Sequence, residues 1–266
     1  MWDVLRAGIT VGVADLTKRY TWITWGLGWL LRGCLEVTFF ALIGVLLGRA
    51  DIVTFLVIGR GLFLACLEML LVVQTVAWER QAGTLPLLMI SPSRVWPVFV
   101  GRACQWFPSA VVTPMIVLLV LGPFFGVSFS LAGAVFLLPA VLVTALGSFG
   151  FALTVAAVSM RWPDARNLIS NLTQLVIALG CGVFVPITFW PTVVQYVVQV
   201  VPLTHTIQAV RDIEAGAGGW GQSAVAAGTP LLMALALGAA WFVLGVLLVE
   251  RHAATGRADG SIDLDE

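Results

Sequence analysis

Long apolar blocks, each about 20 residues or more, alternate along this chain with short polar islands. The blocks fall near residues 24–47, 52–77, 98–123, 131–159, 168–189 and 224–249. In lipid, a segment must satisfy its own backbone polar groups, so such blocks read as helices. The expected fold is an all-α polytopic membrane protein with six transmembrane helices, forming one domain over residues 1–250. Composition supports this: the charged fraction is 11% and mean hydropathy is +1.01, where a soluble domain of this size carries about 25% charged residues.

Lysine and arginine set the orientation. Alternate islands hold Arg6, Lys18, Arg19, Arg80, Arg94, Arg102, Arg161, Arg166, Arg251 and Arg257, whereas the others hold only Arg49 and Arg211. Basic loops stay in the cytosol, which places both termini inside a cell membrane, inner or plasma. No cleavable leader is expected, because Asp3 and Asp15 interrupt the N-terminal stretch. Instead Trp2, Leu5, Ile9, Val13, Leu16 and Tyr20 recur at steps of three and four. Residues 1–21 therefore read as an interfacial amphipathic helix, with packing on the cytosolic face of the protein as the alternative. The tail, 251–266, is polar and reads as disordered.

Apart from Arg102 at the edge of the third, four charges lie inside the blocks: Arg32 and Glu36 in the first, Arg60 and Glu68 in the second. Such charges face protein or water and take partners. Arg32 and Glu36 are one turn apart and suit a pair within the helix. Arg60 is expected near the outer surface and Glu68 deeper. The four cysteines sit in apolar blocks without a CxxC spacing and read as small buried hydrophobes. Pro108, Pro114 and Pro139 predict kinks.

Two islands depart from ordinary connectors. The cytosolic one, residues 79–97, contains Glu79 and Arg80, then Gly83-Thr84, an apolar piece from Leu85 through Leu88 to Ile90, and the breakers Ser91-Pro92-Ser93. That pattern reads as a turn, a short helix lying on the membrane face, and a second turn. The external one, residues 190–215, follows Pro186 and carries Pro191, Gln195, Gln199, Pro202 and His205. It is too apolar for a solvent loop and too short to cross twice. Two short helices with a proline break, re-entering the outer leaflet, fit its length. Gln195 and Gln199 are expected to share a face with His205 or Gln208.

Both islands carry a family resemblance. Glu79-Arg80-x-x-Gly83-Thr84-Leu85 with Leu87-Leu88 and Ser91-Pro92 resembles the cytoplasmic coupling segment of type-2 ATP-binding-cassette (ABC) export permeases. Phe184-x-Pro186, Trp190-Pro191, Pro202-Leu203-Thr204 and Arg211 resemble the external re-entrant segment of the same family. The resemblance implies that Glu79, Arg80, Gly83, Thr84, Leu85 and Leu88 dock on an ATPase, and that Pro186, Pro191, Gln195, Gln199, Pro202 and His205 belong to an external gate. It implies two ABC ATPase subunits and a second permease chain, identical or paralogous, beside membrane lipid.

The chain itself holds no phosphate loop: its one lysine, Lys18, lies outside any GxxxxGK[ST] pattern. ATP and magnesium are therefore expected in a partner ATPase and no cofactor in this chain. A formal net charge of zero gives no reason to expect nucleic acid. The expected activity is ATP-driven export of an amphiphilic or lipophilic substrate, an antibiotic, drug or lipid-linked molecule. A polysaccharide or glycolipid exporter is the alternative. Two other classes fit less well. An intramembrane enzyme would draw on Glu36, Glu68, His205 and His252, which no catalytic or metal motif joins. An ion-coupled secondary transporter would show internal repeats, and none is visible.

Overall fold

The structure, a computed structural model, describes residues 2–75, 83, 94–162, 164–216 and 220–259. Five helices are long and apolar enough to cross a membrane: α2 (Ile23–Leu46), α3 (Ala50–Thr75), α4 (Trp96–Phe125), α5 (Leu131–Met160) and the greater part of α9 (Trp220–Asp259). The remaining helices are α1 (Trp2–Arg19), α6 (Arg166–Gly180), α7 (Thr192–Val198) and α8 (Pro202–Ala215). No strand occurs among the described residues.

α3 is the axis of the bundle. Of its most apolar stretch 89% is buried, against 22% for α2 and for α9. α2, α4, α5 and α8 pack around it. α2 and α3 form a tight hairpin at Gly48, whose φ of 65° turns the chain. Arg49 and Asp51 pair at 2.5 Å across that turn.

α5 and α9 pack backbone to backbone along a glycine seam. A Cβ on Gly238 would lie 2.5 Å from the Gly147 Cα, and one on Gly150 would run into the Gly238 carbonyl oxygen. Thr154 then donates its hydroxyl to the Trp241 carbonyl at 2.7 Å. Small residues permit this approach, which drives helix association in lipid. Gly150→Ala or Gly238→Ala is expected to destabilise by about 2–3 kcal/mol through overpacking. Gly228→Ala, whose Cβ would meet nothing within 4 Å, serves as the control. Thermal unfolding in lipid nanodiscs separates these cases, and equal melting of all three variants would count against the seam.

The structure corrects the reading of the fifth apolar block. A span over 168–189 is expected, but α6 stops at Gly180 after 15 residues. At 1.5 Å per residue that is about 22 Å of helix, short of the roughly 30 Å hydrocarbon core. Gly182 takes a φ of 82°, which a continuing right-handed helix excludes. Residues 181–186 follow as irregular chain.

Two further expectations shift. The tail does not begin at 251: α9 continues as helix to Asp259, with Val249 and Ala253 buried. In α1 the most buried positions are Gly8 and Gly12, which lie beside the expected apolar stripe and dock on Gly101 and Arg102 of α4. Leu5, Ile9 and Leu16 of the stripe are half-buried, while Trp2 and Val13 remain exposed. Asp15 closes an ion pair with Arg102. The helix thus packs on the protein along one flank and leaves apolar side chains uncovered on the next. Pro139 lies inside an uninterrupted α5, whereas α4 changes pitch on both sides of its inner prolines, through a 3-10 turn at Cys104–Trp106 before Pro108 and a π turn at Val117–Leu121 after Pro114.

Candidate functional site: a charge cluster halfway along the spans

Arg32 and Glu36 form the expected pair, with Arg32 Nε donating to Glu36 Oε1 at 2.9 Å. Arg60 departs from expectation. It is buried in the middle of α3, about 15 Å of helix rise from the turn at Gly48, and not near an end of the span. Its guanidinium closes on Glu36 Oε2, so a single carboxylate lies between two arginines. The rings of Phe63, Phe184 and Phe40 stand 5.1, 5.7 and 5.8 Å from the Arg60 guanidinium carbon. Phe40 and Phe184 stack on each other at 4.3 Å. Aromatic faces stabilise a cation that has left water.

The cluster opens to space on two sides. An open, shallow groove of about 470 Å³ on the surface of the helices is lined by Leu35, Glu36, Phe39, Phe40, Arg60 and Phe184. A smaller one, about 110 Å³, lies between α2, α3, α4 and α6 and is edged by Arg32, Glu36, Glu68, Thr113 and Gln174. Glu68 is buried, as expected, but makes no ion pair among the described residues, and its Oε2 has no hydrogen bond. The Arg32 side chain is 64% exposed. A guanidinium halfway along a span does not face hydrocarbon, so this side of α2 adjoins water or another protein surface.

Residues 190–215 hold two helices, α7 and α8, with the break at residues 199–201, just before Pro202. α8 buries Pro202, Leu203, Thr206, Ile207 and Val210 against α3, α5 and α9. Pro186, Pro191 and Gln199 are exposed. The expected shared glutamine face does not form. Gln195 donates to the Trp190 carbonyl at 2.8 Å, and Gln208 to Asp212 at 2.7 Å. His205 Nε2 lies 2.8 Å from the backbone carbonyl of Gln199, and since that oxygen only accepts, Nε2 carries the proton.

Arg211 joins three elements, a role that spacing did not reveal. It donates to the Phe55 carbonyl of α3 at 2.9 Å and to the Gly182 carbonyl at 2.7 Å, while its guanidinium lies 3.6 Å from the centre of the Phe55 ring. Gly59 makes room: a Cβ there would come within 2.5 Å of the Val183 carbonyl oxygen.

Of the segment expected to couple to an ATPase, Glu79, Arg80, Thr84, Leu85 and Leu88 lie outside the described residues. Gly83 is exposed with a φ of 67°, the left-handed geometry a turn there requires. Among the described residues no group of three or more His, Cys, Asp or Glu is placed to hold a metal ion.

Comparison with known families gives one match. The family model described as ABC-2 type transporter covers residues 17–215, from the end of α1 through α8. No curated protein and no solved structure matches the chain.

Proposed function

The chain belongs to the ABC-2 type transporter family, and from that premise we propose that it is the permease of an ATP-driven exporter that moves an amphiphilic or lipophilic substrate. Members of this family are transporter permease components and not themselves catalytic, so ATP is hydrolysed on separate subunits, two per complex. A second permease chain completes the path. Six crossings serve the chain, the sixth made by α6 together with the irregular stretch after it.

One observation carries the substrate class. Halfway along the spans, the Arg32–Glu36–Arg60 cluster adjoins an open groove of about 470 Å³ flanked by Phe39, Phe40 and Phe184. Aromatic walls take up apolar groups, and the ionic edge receives a polar head. The exposed side of Arg32 demands water or a partner surface, which supports a path running along α2 between two permease chains. The segment 190–215 closes the outer end of that path.

The coupling stretch offers the direct test. Glu79→Ala and Leu85→Asp are expected to lower substrate transport about tenfold or more in vesicles containing the complete complex, with membrane insertion intact. That is the scale of truncating one central side chain at a docking surface. Unchanged transport in both variants would sink the assignment of residues 79–97. Reconstitution with lipophilic amines, lipid-linked sugars and free polysaccharide as alternative cargoes distinguishes the substrate classes.

A further inference from the structure

α4 begins without a cap of its own. Its first positions are Val95, Trp96 and Pro97, and Val95 has no side-chain acceptor for the free N–H groups of the first turn. The acceptor comes from the far end of the chain. Glu250 Oε1 accepts the Val95 N–H at 2.8 Å and the Trp96 N–H at 3.1 Å. A carboxylate at that end also meets the positive pole of the helix. Val95 is buried, and the Trp96 ring stands edge-on to Phe242 of α9 at 6.2 Å. The cytosolic ends of α4 and α9 are thus clamped by hydrogen bonds and by packing.

The clamp's position gives it a consequence. Residues 79–93 enter α4 at this point, so a displacement of that stretch acts first on Val95 and Trp96. On the other flank of α4, Arg102 holds Asp15 of α1. We propose that Glu250 is the positioning residue that carries motion of the coupling stretch into the last span: α4 and α9 move as one body because Glu250 ties them. The proposal rests on the exporter reading for its source of motion, but the clamp itself does not.

Three variants of the full chain test it, alone in nanodiscs and in the complete complex with its ATPase subunits. Glu250→Gln keeps an accepting oxygen. Glu250→Ala removes it, and Glu250→Asp withdraws it while keeping the charge. Hydrogen exchange at the Val95 and Trp96 amides is expected to rise about tenfold in Glu250→Ala and stay near wild type in Glu250→Gln, the scale of removing one charge-assisted hydrogen bond. In the complex, Glu250→Ala is expected to keep its ATP turnover and to move about fivefold less substrate per ATP, or worse, with Glu250→Gln within about twofold of wild type. If Glu250→Ala does not fold, Glu250→Asp carries both measurements. Unchanged amide exchange would overturn the clamp. Faster exchange with wild-type transport per ATP would overturn its role in coupling. A wild-type complex without ATP-dependent transport would instead overturn the exporter reading, leaving the exchange result to judge the clamp.

Discussion

Glu36→Gln is expected to destabilise the protein by about 3–5 kcal/mol, the cost of removing one partner from a buried ion pair. Arg60 is the reason for so large an effect. Its side chain is 9% exposed, its Nε makes no hydrogen bond, and Glu36 is its salt-bridge partner among the described residues. Once Glu36 loses its charge, Arg60 keeps at most a neutral amide acceptor and the three phenylalanine rings, and its charge has no counter-ion among the described residues. Arg32 is in a different position, being largely exposed. Arg32→Gln should therefore cost no more than about 1 kcal/mol, like other exposed pairs. The decisive comparison is the double variant. Glu36→Gln with Arg60→Met replaces the pair by neutral groups of similar size and is expected to recover most of the stability. Glu36→Gln with Arg32→Gln should recover little. Denaturant unfolding in nanodiscs measures all four. If Arg32→Gln costs as much as Glu36→Gln, or the Arg60→Met double variant recovers nothing, the cluster is organised differently.

The same three residues mark how far a sequence can be read. The Arg32–Glu36 pair is visible because four residues make one helical turn, and the pair is found at 2.9 Å. Arg60 is 24 residues from Glu36, on another helix, and no periodicity within one element places the two together. The same limit hides the Glu250 cap and the close approach of Gly147 and Gly238, each between helices distant in sequence.

The apolar blocks were legible because their length and composition leave few alternatives in a bilayer, and five of them are long apolar helices. The fifth block misled because hydropathy is blind to backbone conformation. Residues 181–189 are as apolar as a span, but Gly182 adopts a left-handed φ and Pro186 offers no N–H to continue a helix. The glycine pair at 180 and 182 was the available signal. The first part of the tail, residues 251–259, misled in the other direction, while residues 260–266 lie outside the described residues. Its polarity suggested disorder, yet Ala253 and Ala254 favour helix, and a helix already running needs no new nucleus.

Arg211→Ala should be nearly as costly as Glu36→Gln, about 3–4 kcal/mol, and should loosen residues 181–215 selectively. Two charge-assisted hydrogen bonds and a cation–aromatic interaction converge on this guanidinium. What it holds has few other backbone hydrogen bonds. The carbonyl of Gly182 belongs to irregular chain after α6, where no following turn of helix supplies a donor. Arg211 supplies one from α8 and at the same time bonds to α3, so the end of α6, the axis of the bundle and the external helices share one joint. Arg211→Lys keeps the charge but not the planar guanidinium that lies over the Phe55 ring, and should forfeit at least half of the same stability. Gly59→Ala tests the joint from the other side, because its Cβ would lie 3.0 Å from the Arg211 Nη2 and closer still to the Val183 carbonyl oxygen. All three variants should unfold earlier than wild type in nanodiscs. Amide exchange should rise at residues 181–190 and in α7 before it rises in α5. Exchange that rises evenly through α5 and α9 would mean that Arg211 supports the whole bundle, and the external segment would then have no separate hinge for a gate to use.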